Sequence, residues 1–81
     1  MTPDVWADFN QIDDDGYVVA YLEDIVRVEV VVPGATVVVA DPDAVAHLAV
    51  VVSISETGVL SLDVDWSSRP TQQTVATGRT A

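Results

Sequence analysis

The sequence predicts an all-β fold, either a small antiparallel barrel or a strongly bent sheet of five or six strands. Valine supplies 18 of the 81 residues, and β-branched side chains favour pleated sheets over helices. Short apolar runs are separated by turn signals at intervals of roughly 8–12 residues, a spacing typical of sandwiches and barrels. A chain of this length has material for one small core, so we expect one domain.

Turn signals divide the chain into its predicted strands. The strongest are the Asp-Gly pair at the end of Asp13–Gly16, Pro33-Gly34 and Glu56–Gly58, while Asp41–Asp43 and Glu23-Asp24 are further breaks. The strands predicted between these turns are Val5–Ile12, Tyr17–Leu22, Ile25–Val32, Thr36–Ala40, Ala46–Ile54 and Val59–Trp66.

Alternation of apolar and polar residues predicts which face of each strand points inward. In the last strand the apolar positions alternate with Ser61, Asp63 and Asp65, which we expect in solvent. The inward sets predicted on this basis are Leu60, Leu62, Val64 and Trp66; Leu48, Val50, Val52 and Ile54; and Val26, Val28, Val30 and Val32.

Two elements have alternatives. In the first strand, Val5, Ala7 and Phe9 compete with Trp6 and Ile12 for the inward face. Between the fourth and fifth predicted strands, Asp41 is a candidate helix cap with Pro42 at the first helical position, so a single helical turn reaching Leu48 is the second interpretation.

The composition changes at Ser67. Residues 67–81 contain one large apolar side chain, Val75, and cannot bury enough surface to offset their ordering entropy. We therefore expect a barrel domain over residues 1–66 and a disordered tail over 67–81.

The stretch Val32-Pro33-Gly34-Ala35-Thr36-Val37-Val38-Val39-Ala40-Asp41 resembles the proline-glycine turn and following strand of SH3-like barrels. A polar turn, a long strand, the glycine turn at Gly58 and a last strand follow, so the resemblance extends from Val30 to Trp66. It implies an SH3-like barrel. Barrels of this kind bind peptides, proteins or nucleic acids, and the fold alone does not determine which of these ligands is bound. The chain is also similar to short acidic proteins of high-GC actinobacteria and their phages, which are rich in alanine and valine and lack lysine.

The charge is strongly acidic. All 13 carboxylates lie between Asp4 and Asp65, where Arg27 is the one base, so residues 1–66 carry a net charge of −12. Such a surface repels nucleic-acid phosphates and anionic lipid heads and attracts basic proteins or divalent cations. We therefore predict neither direct nucleic-acid binding nor membrane binding, and a protein partner that is basic.

Residue types that carry common chemistry are missing from this chain. It contains no cysteine, no lysine and no Gly-x-Ser-x-Gly motif, and it has a single histidine, His47. One imidazole without thiolates makes a poor metal site, so His47 is interpreted as a surface residue. Asp63 and Asp65 form a carboxylate pair, but a domain this small rarely offers the enclosing cleft that acid catalysis needs. The prediction is a non-enzymatic protein without a cofactor.

The acidic turn Asp13–Gly16 is a candidate calcium loop. With Gly16 at position 6 of an EF-hand loop, position 1 is Gln11 and position 12 is Leu22, so both terminal ligands fail. The preferred interpretation is a solvated turn. The N-terminus has no basic region before an apolar stretch, and no apolar run approaches 18 residues, so the expected compartment is the cytoplasm.

These observations predict a protein-interaction module with a strongly acidic surface. The alternatives are a nucleic-acid mimic that inhibits a basic DNA- or RNA-processing protein, as small acidic phage inhibitors do, and an acidic binder of divalent cations. Val30–Val32 and Val37–Val39 are apolar on both strand faces, which favours a homodimer or partner interface on the Val30–Val39 hairpin. The residues predicted to contact a partner are Asp13, Asp14, Asp15, Asp41, Asp43, Asp63, Asp65, Val31 and Val38. The aromatic residues Trp6, Tyr17, Tyr21 and Trp66 are interpreted as core and rim.

Overall fold

A five-stranded mixed sheet, nearly closed into a barrel, is the main feature of the computed structural model, which describes residues 2–68. The predicted all-β class and small barrel are therefore confirmed. The strands are β1 (Val5–Trp6), β2 (Val18–Tyr21), β3 (Thr36–Ala40), β4 (His47–Ile54) and β5 (Val59–Asp65), and a short 3₁₀ helix, Leu22–Asp24, follows β2. It is the one helix among residues 2–68, and it is far too short to cross a bilayer.

The strand order across the sheet is β1-β3-β4-β5-β2. Strands β3, β4 and β5 form an antiparallel meander, and β2 adds antiparallel to β5. β1 pairs in parallel with β3, with Val5 opposite Val39, so the sheet is mixed rather than purely antiparallel. Parallel pairing is possible here because a long excursion through β2 separates the two strands in sequence, whereas adjacent hairpin strands must be antiparallel.

The chain that leaves β2 brings the two edges of the sheet together. After the 3₁₀ helix, Ile25 forms an antiparallel bridge with Val5 of β1. The carbonyl oxygen of Asp4 then accepts hydrogen bonds from the backbone nitrogens of Val26 (2.8 Å) and Arg27 (3.1 Å). The gap between β1 and β2 is thereby closed at one end, and a bridge between Ile12 and Val18 closes it at the other, so that an opening remains between the two bridges.

The core is built of valine and leucine side chains from all five strands. In β5 the prediction is confirmed for Leu60, Leu62 and Val64, but Trp66, which follows the strand, is 47% exposed. The largest fully buried side chains are Leu60, Leu62, Val5, Val18, Val37, Val39 and Val51.

The face predicted for β4 is wrong for Val50 and Val52, although Ile54 packs against the core as predicted. Ala49 and Val51 point into the core, whereas Val50 and Val52 are 41% and 40% exposed. The pairing of Val51 with Leu62 of β5 fixes this orientation, because side chains of directly opposed residues lie on the same face of a sheet. An irregularity between Val51 and Ser53 shifts the register toward the end of the strand. Hydrophobicity could not decide the face, because both faces of β4 carry apolar residues.

The predicted strand Ile25–Val32 is also wrong. Beyond the bridge at Ile25, these residues form successive turns, with the backbone nitrogen of Val30 donating to Arg27 and that of Val32 to Val30. Val28 is 71% exposed and Val31 only 3% exposed, the reverse of the predicted alternation. Valine favours strands only when a neighbouring strand is available for pairing, and here the gap beside β1 admits a single residue pair.

Two other local predictions need correction. The first strand ends at Trp6 rather than Ile12, because a turn in which Gln11 donates to the Asp8 carbonyl bends the chain away from β3. The helical alternative after Asp41 is not formed, and a single turn closed by Ala44 donating to the Asp41 carbonyl stands there instead.

The start of the predicted tail belongs to the fold. Ser68 is 7% exposed, and its hydroxyl accepts a hydrogen bond from the backbone nitrogen of Leu48 (2.7 Å) and donates to the carbonyl of Asp65 (2.6 Å). The disorder predicted from residue 67 is therefore wrong for Ser68. The remainder of that prediction, residues 69–81, lies outside the described residues.

Candidate functional site

An open groove of about 440 Å³ lies where the gap between β1 and β2 is not closed. One wall is the segment from Trp6 to Gln11, and the other is the outer edge of β2. The turn at Asp41–Asp43, which follows β3, also lines the groove. The lining residues are Trp6, Ala7, Asp8, Asn10, Gln11, Val19, Tyr21, Asp24, Asp41, Pro42 and Asp43.

The groove is acidic. Four carboxylates line it, from Asp8, Asp24, Asp41 and Asp43, and among residues 2–68 no basic side chain does. Hydrogen bonds from within residues 2–68 reach the carboxylates of Asp8 and Asp41 but not those of Asp24 and Asp43. The last two are therefore available to a cationic ligand, and carboxylates gathered in one cleft make its potential negative.

Asp41 holds the groove together. Its Oδ2 accepts a hydrogen bond from the backbone nitrogen of Phe9 (2.9 Å), and its Oδ1 accepts one from the backbone nitrogen of Asp43 (2.8 Å). These two bonds, the one from Phe9 first, lower the pKa of the Asp41 carboxyl below its ordinary value, outweighing the opposite effect of burial. Asp41 is only 9% exposed, so it serves mainly as an anchor between the two chain segments.

Two aromatic side chains face the groove from opposite walls. Trp6 of β1 is 38% exposed, and Tyr21 at the end of β2 is half-buried. The hydroxyl of Tyr21 accepts a hydrogen bond from Nε2 of Gln11 (2.7 Å), which links the two walls. An aromatic face beside carboxylates is an arrangement that favours guanidinium and ammonium groups, since both attract a cation.

A second aromatic cluster contacts the groove wall through Phe9. The ring centroids of Phe9 and Trp66 lie 5.1 Å apart, and His47 lies 5.7 Å from Phe9 and 5.2 Å from Trp66. His47 is 6% exposed, so its interpretation as a surface residue is wrong. Its Nδ1 lies 2.9 Å from the carbonyl oxygen of Ser68, and because a carbonyl can only accept, Nδ1 carries the proton. The cluster positions Phe9, whose backbone holds Asp41.

The structure brings together only two of the acidic residues predicted to contact a partner, Asp41 and Asp43. The triplet Asp13–Asp15 forms the turn before β2, where Oδ1 of Asp13 accepts hydrogen bonds from the backbone nitrogens of Asp15 and Tyr17, both at 2.9 Å. Within residues 2–68, no three His, Asp or Glu side chains lie close enough together to share a metal ion.

Asp63 and Asp65 lie apart from the groove, on the outer face of β5. Hydrogen bonds from the hydroxyl (2.6 Å) and the backbone nitrogen (3.0 Å) of Ser67 lower the pKa of Asp65. Asp65 thus shapes the turn that leads to Ser68.

The two valines predicted at the interface differ in position. Val31 is buried, so its assignment to an exposed interface is wrong. Val38 is half-buried on the outer face of β3, opposite Leu48. The Val30–Val39 hairpin is not formed, because residues 30–32 are not in a strand. A homodimer stays a prediction without that structural basis.

Sequence reasoning missed most of the groove, namely Trp6, Asp8, Gln11, Tyr21 and Asp24. The sequence interpretation assigns the two aromatic residues to the core and rim. The sequence gives no sign that the carboxylates of Asp8 and Asp24 lie near Asp41. They are brought together only by the parallel pairing of β1 with β3 and by the turn after β2. Neither contact leaves a pattern in the sequence.

Comparison of the chain with models of protein families, with curated proteins and with solved structures found no match.

Proposed function

We propose that this chain is a non-enzymatic protein-interaction module whose acidic groove binds a basic segment of a partner protein. The observation that carries the proposal is the lining of the groove, to which residues 2–68 contribute four carboxylates with Trp6 and Tyr21 and no basic side chain. Arg27, the one base among residues 2–68, lies 3.6 Å from Asp4 and does not line the groove.

The charge of the whole chain supports the same partner. A net charge of −10 attracts basic proteins over a distance of about one Debye length and accelerates their association. The net charge alone does not give specificity for one basic partner. The groove supplies specificity, because its limited volume and the aromatic residue on each wall favour some cationic side chains over others.

Peptide titration of two charge-matched variants tests the proposal. The probe is the peptide Arg-Val-Arg-Val-Arg, measured by calorimetry at low salt, and Glu-Val-Glu-Val-Glu is the negative control. The groove variant is Asp24→Asn with Asp43→Asn, two carboxylates that receive no hydrogen bond from within residues 2–68. The control variant is Asp14→Asn with Asp63→Asn, which removes the same charge at exposed positions outside the groove.

We expect the groove variant to bind the arginine peptide about tenfold more weakly, the loss of two partly exposed ion pairs. The control variant should lose much less. Equal losses from both variants would contradict the proposal, because the peptide would then respond to net charge alone. That outcome would favour the alternative of a nucleic-acid mimic, whose determinants include carboxylates such as Asp63 on the outer face.

A further inference from the structure

Within the described part of the chain, the outer edge of β2 has backbone groups without partners where it borders the groove. In the pairing of β2 with β5, the backbone nitrogen of Leu22 donates to the carbonyl of Gly58, and Tyr21 lies opposite Val59. In an antiparallel pair this arrangement points the N–H of Tyr21 away from β5. The same alternation points the N–H and C=O of Val19 away from β5.

The N-terminal segment uses only the first part of this edge. The N–H of Val19 donates to the carbonyl of Gln11 (2.9 Å), beside a bridge between Ile12 and Val18. Residues that precede Gln11 in the chain form the turn at Asp8–Gln11 and do not pair with β2. Within residues 2–68, no hydrogen bond reaches the carbonyl of Val19 or leaves the N–H of Tyr21.

These two free groups form the pattern that an added strand requires. They flank Ala20, so one residue of an incoming parallel strand can donate its N–H to Val19 and accept from Tyr21. An antiparallel strand makes the same two bonds through the neighbours of the residue opposite Ala20. Both residues line the groove that Asp24 and Asp43 make acidic.

We propose that the partner enters the groove as an extended basic segment that adds a strand to the outer edge of β2. This rests on the proposed function and specifies its recognition mode: backbone hydrogen bonds to Val19 and Tyr21 give affinity, and alternate side chains give specificity. Arginine or lysine side chains on one side of the segment meet the carboxylates and the ring of Trp6. A second copy of this acidic chain is a poor occupant, since like charges repel at close range.

Two backbone-modified peptides test strand addition separately from charge. Both have the sequence Arg-Val-Arg-Val-Arg, one N-methylated at the valines and the other at the central arginine. In a strand, alternate N–H groups point to opposite sides, so N-methylation blocks one peptide and spares the other. We expect one of the two to bind the full-length protein about tenfold more weakly than the unmodified peptide and the other to bind nearly as well.

Hydrogen exchange of the Tyr21 amide gives the second measurement. Saturation with the unmodified peptide should slow its exchange at least about tenfold, because its N–H becomes hydrogen-bonded. The amide of Val19, already bonded to Gln11, should change less and serves as the internal control.

Three outcomes would overturn strand addition. If both methylated peptides bind equally and the exchange rate of the Tyr21 amide does not change, the interaction depends on charge alone. The proposed function then survives if the groove variant still binds the peptide more weakly than the control variant. No binding of any arginine peptide would remove both proposals. A Tyr21 amide already protected in the free protein and released by Arg69→Gln with Arg79→Gln would assign the edge to the chain's own C-terminal segment.

Discussion

The carboxylate of Asp41 accepts a hydrogen bond from the backbone nitrogen of Phe9, 2.9 Å away and 32 residues earlier in the sequence. This bond joins the end of β3 to the segment that forms one wall of the groove. Phe9 in turn packs against His47 and Trp66, so the groove wall is attached to the aromatic cluster behind it. A charge in the groove and the position of its wall are therefore physically linked.

Replacing Asp41 by asparagine should destabilise the fold at neutral pH. The hydrogen bonds from Phe9 and Asp43 lower the pKa of Asp41, so its stabilising effect is present above its unfolded pKa, about 4, and is lost as pH falls through its folded pKa. Thermal melting should therefore give a lower Tm for Asp41→Asn at pH 7 and a difference that shrinks as the pH falls below the unfolded pKa and through the lower folded pKa. Asp63→Asn is the control, an exposed carboxylate on β5. A Tm difference that stays constant with pH would contradict this interpretation.

Salt should stabilise the domain. Residues 2–68 carry 13 carboxylates and one base, on a body with a radius of gyration of 12.5 Å. At an ionic strength of 0.15 M the Debye length is about 8 Å, so repulsion across the surface is largely screened. We expect the Tm to rise up to that concentration and to level off before about 1 M. A continued rise at several molar would indicate adaptation to high salt, and no rise would mean that repulsion does not limit stability.

The last strand shows what the sequence is able to predict. In β5, polar residues alternate with Leu60, Leu62 and Val64, and only one orientation buries the apolar face. β4 is apolar on both faces, so its orientation follows from its partners rather than from its own residues. The groove was still less predictable, because a parallel strand pair and a single residue bridge assemble it. Contacts between distant segments with no repeating pattern cannot be deduced from local alternation.

Alanine substitutions at adjacent positions of β4 should confirm its orientation. Val51 is fully buried and Val52 is 40% exposed. Val51→Ala removes two buried methyl groups and should lower the free energy of unfolding by about 2 kcal/mol. Val52→Ala should cost less than about 0.5 kcal/mol, as surface substitutions usually do. Chemical denaturation followed by tryptophan fluorescence measures both, and a larger loss from Val52→Ala would restore the orientation that the sequence suggested.

The buried hydroxyl of Ser68 should contribute measurably to stability. It accepts a hydrogen bond from the backbone nitrogen of Leu48 and donates to the carbonyl of Asp65. Ser68→Ala leaves the N–H of Leu48 without that acceptor, a change that costs about 1–3 kcal/mol when the group is buried. Ser67→Ala is the neighbouring control, because its hydroxyl bonds to Asp65 in solvent. Equal stability of the two variants would contradict the role of Ser68 in closing this end of the fold.

Two glycines with the same backbone conformation should respond differently to alanine. Gly34 and Gly58 have φ values of +89° and +86°, a region in which a side chain costs about 1–2 kcal/mol. A Cβ at Gly34 would meet no atom within 4 Å, whereas a Cβ at Gly58 would lie 2.8 Å from Cδ1 of Leu22. Gly34→Ala should therefore show the backbone cost alone, and Gly58→Ala a larger loss in chemical denaturation. Leu22 is 53% exposed, so adding Leu22→Ala to Gly58→Ala should recover the excess and leave a loss close to that of Gly34→Ala. No recovery in the double variant would mean that the contact between Gly58 and Leu22 is not what limits the substitution.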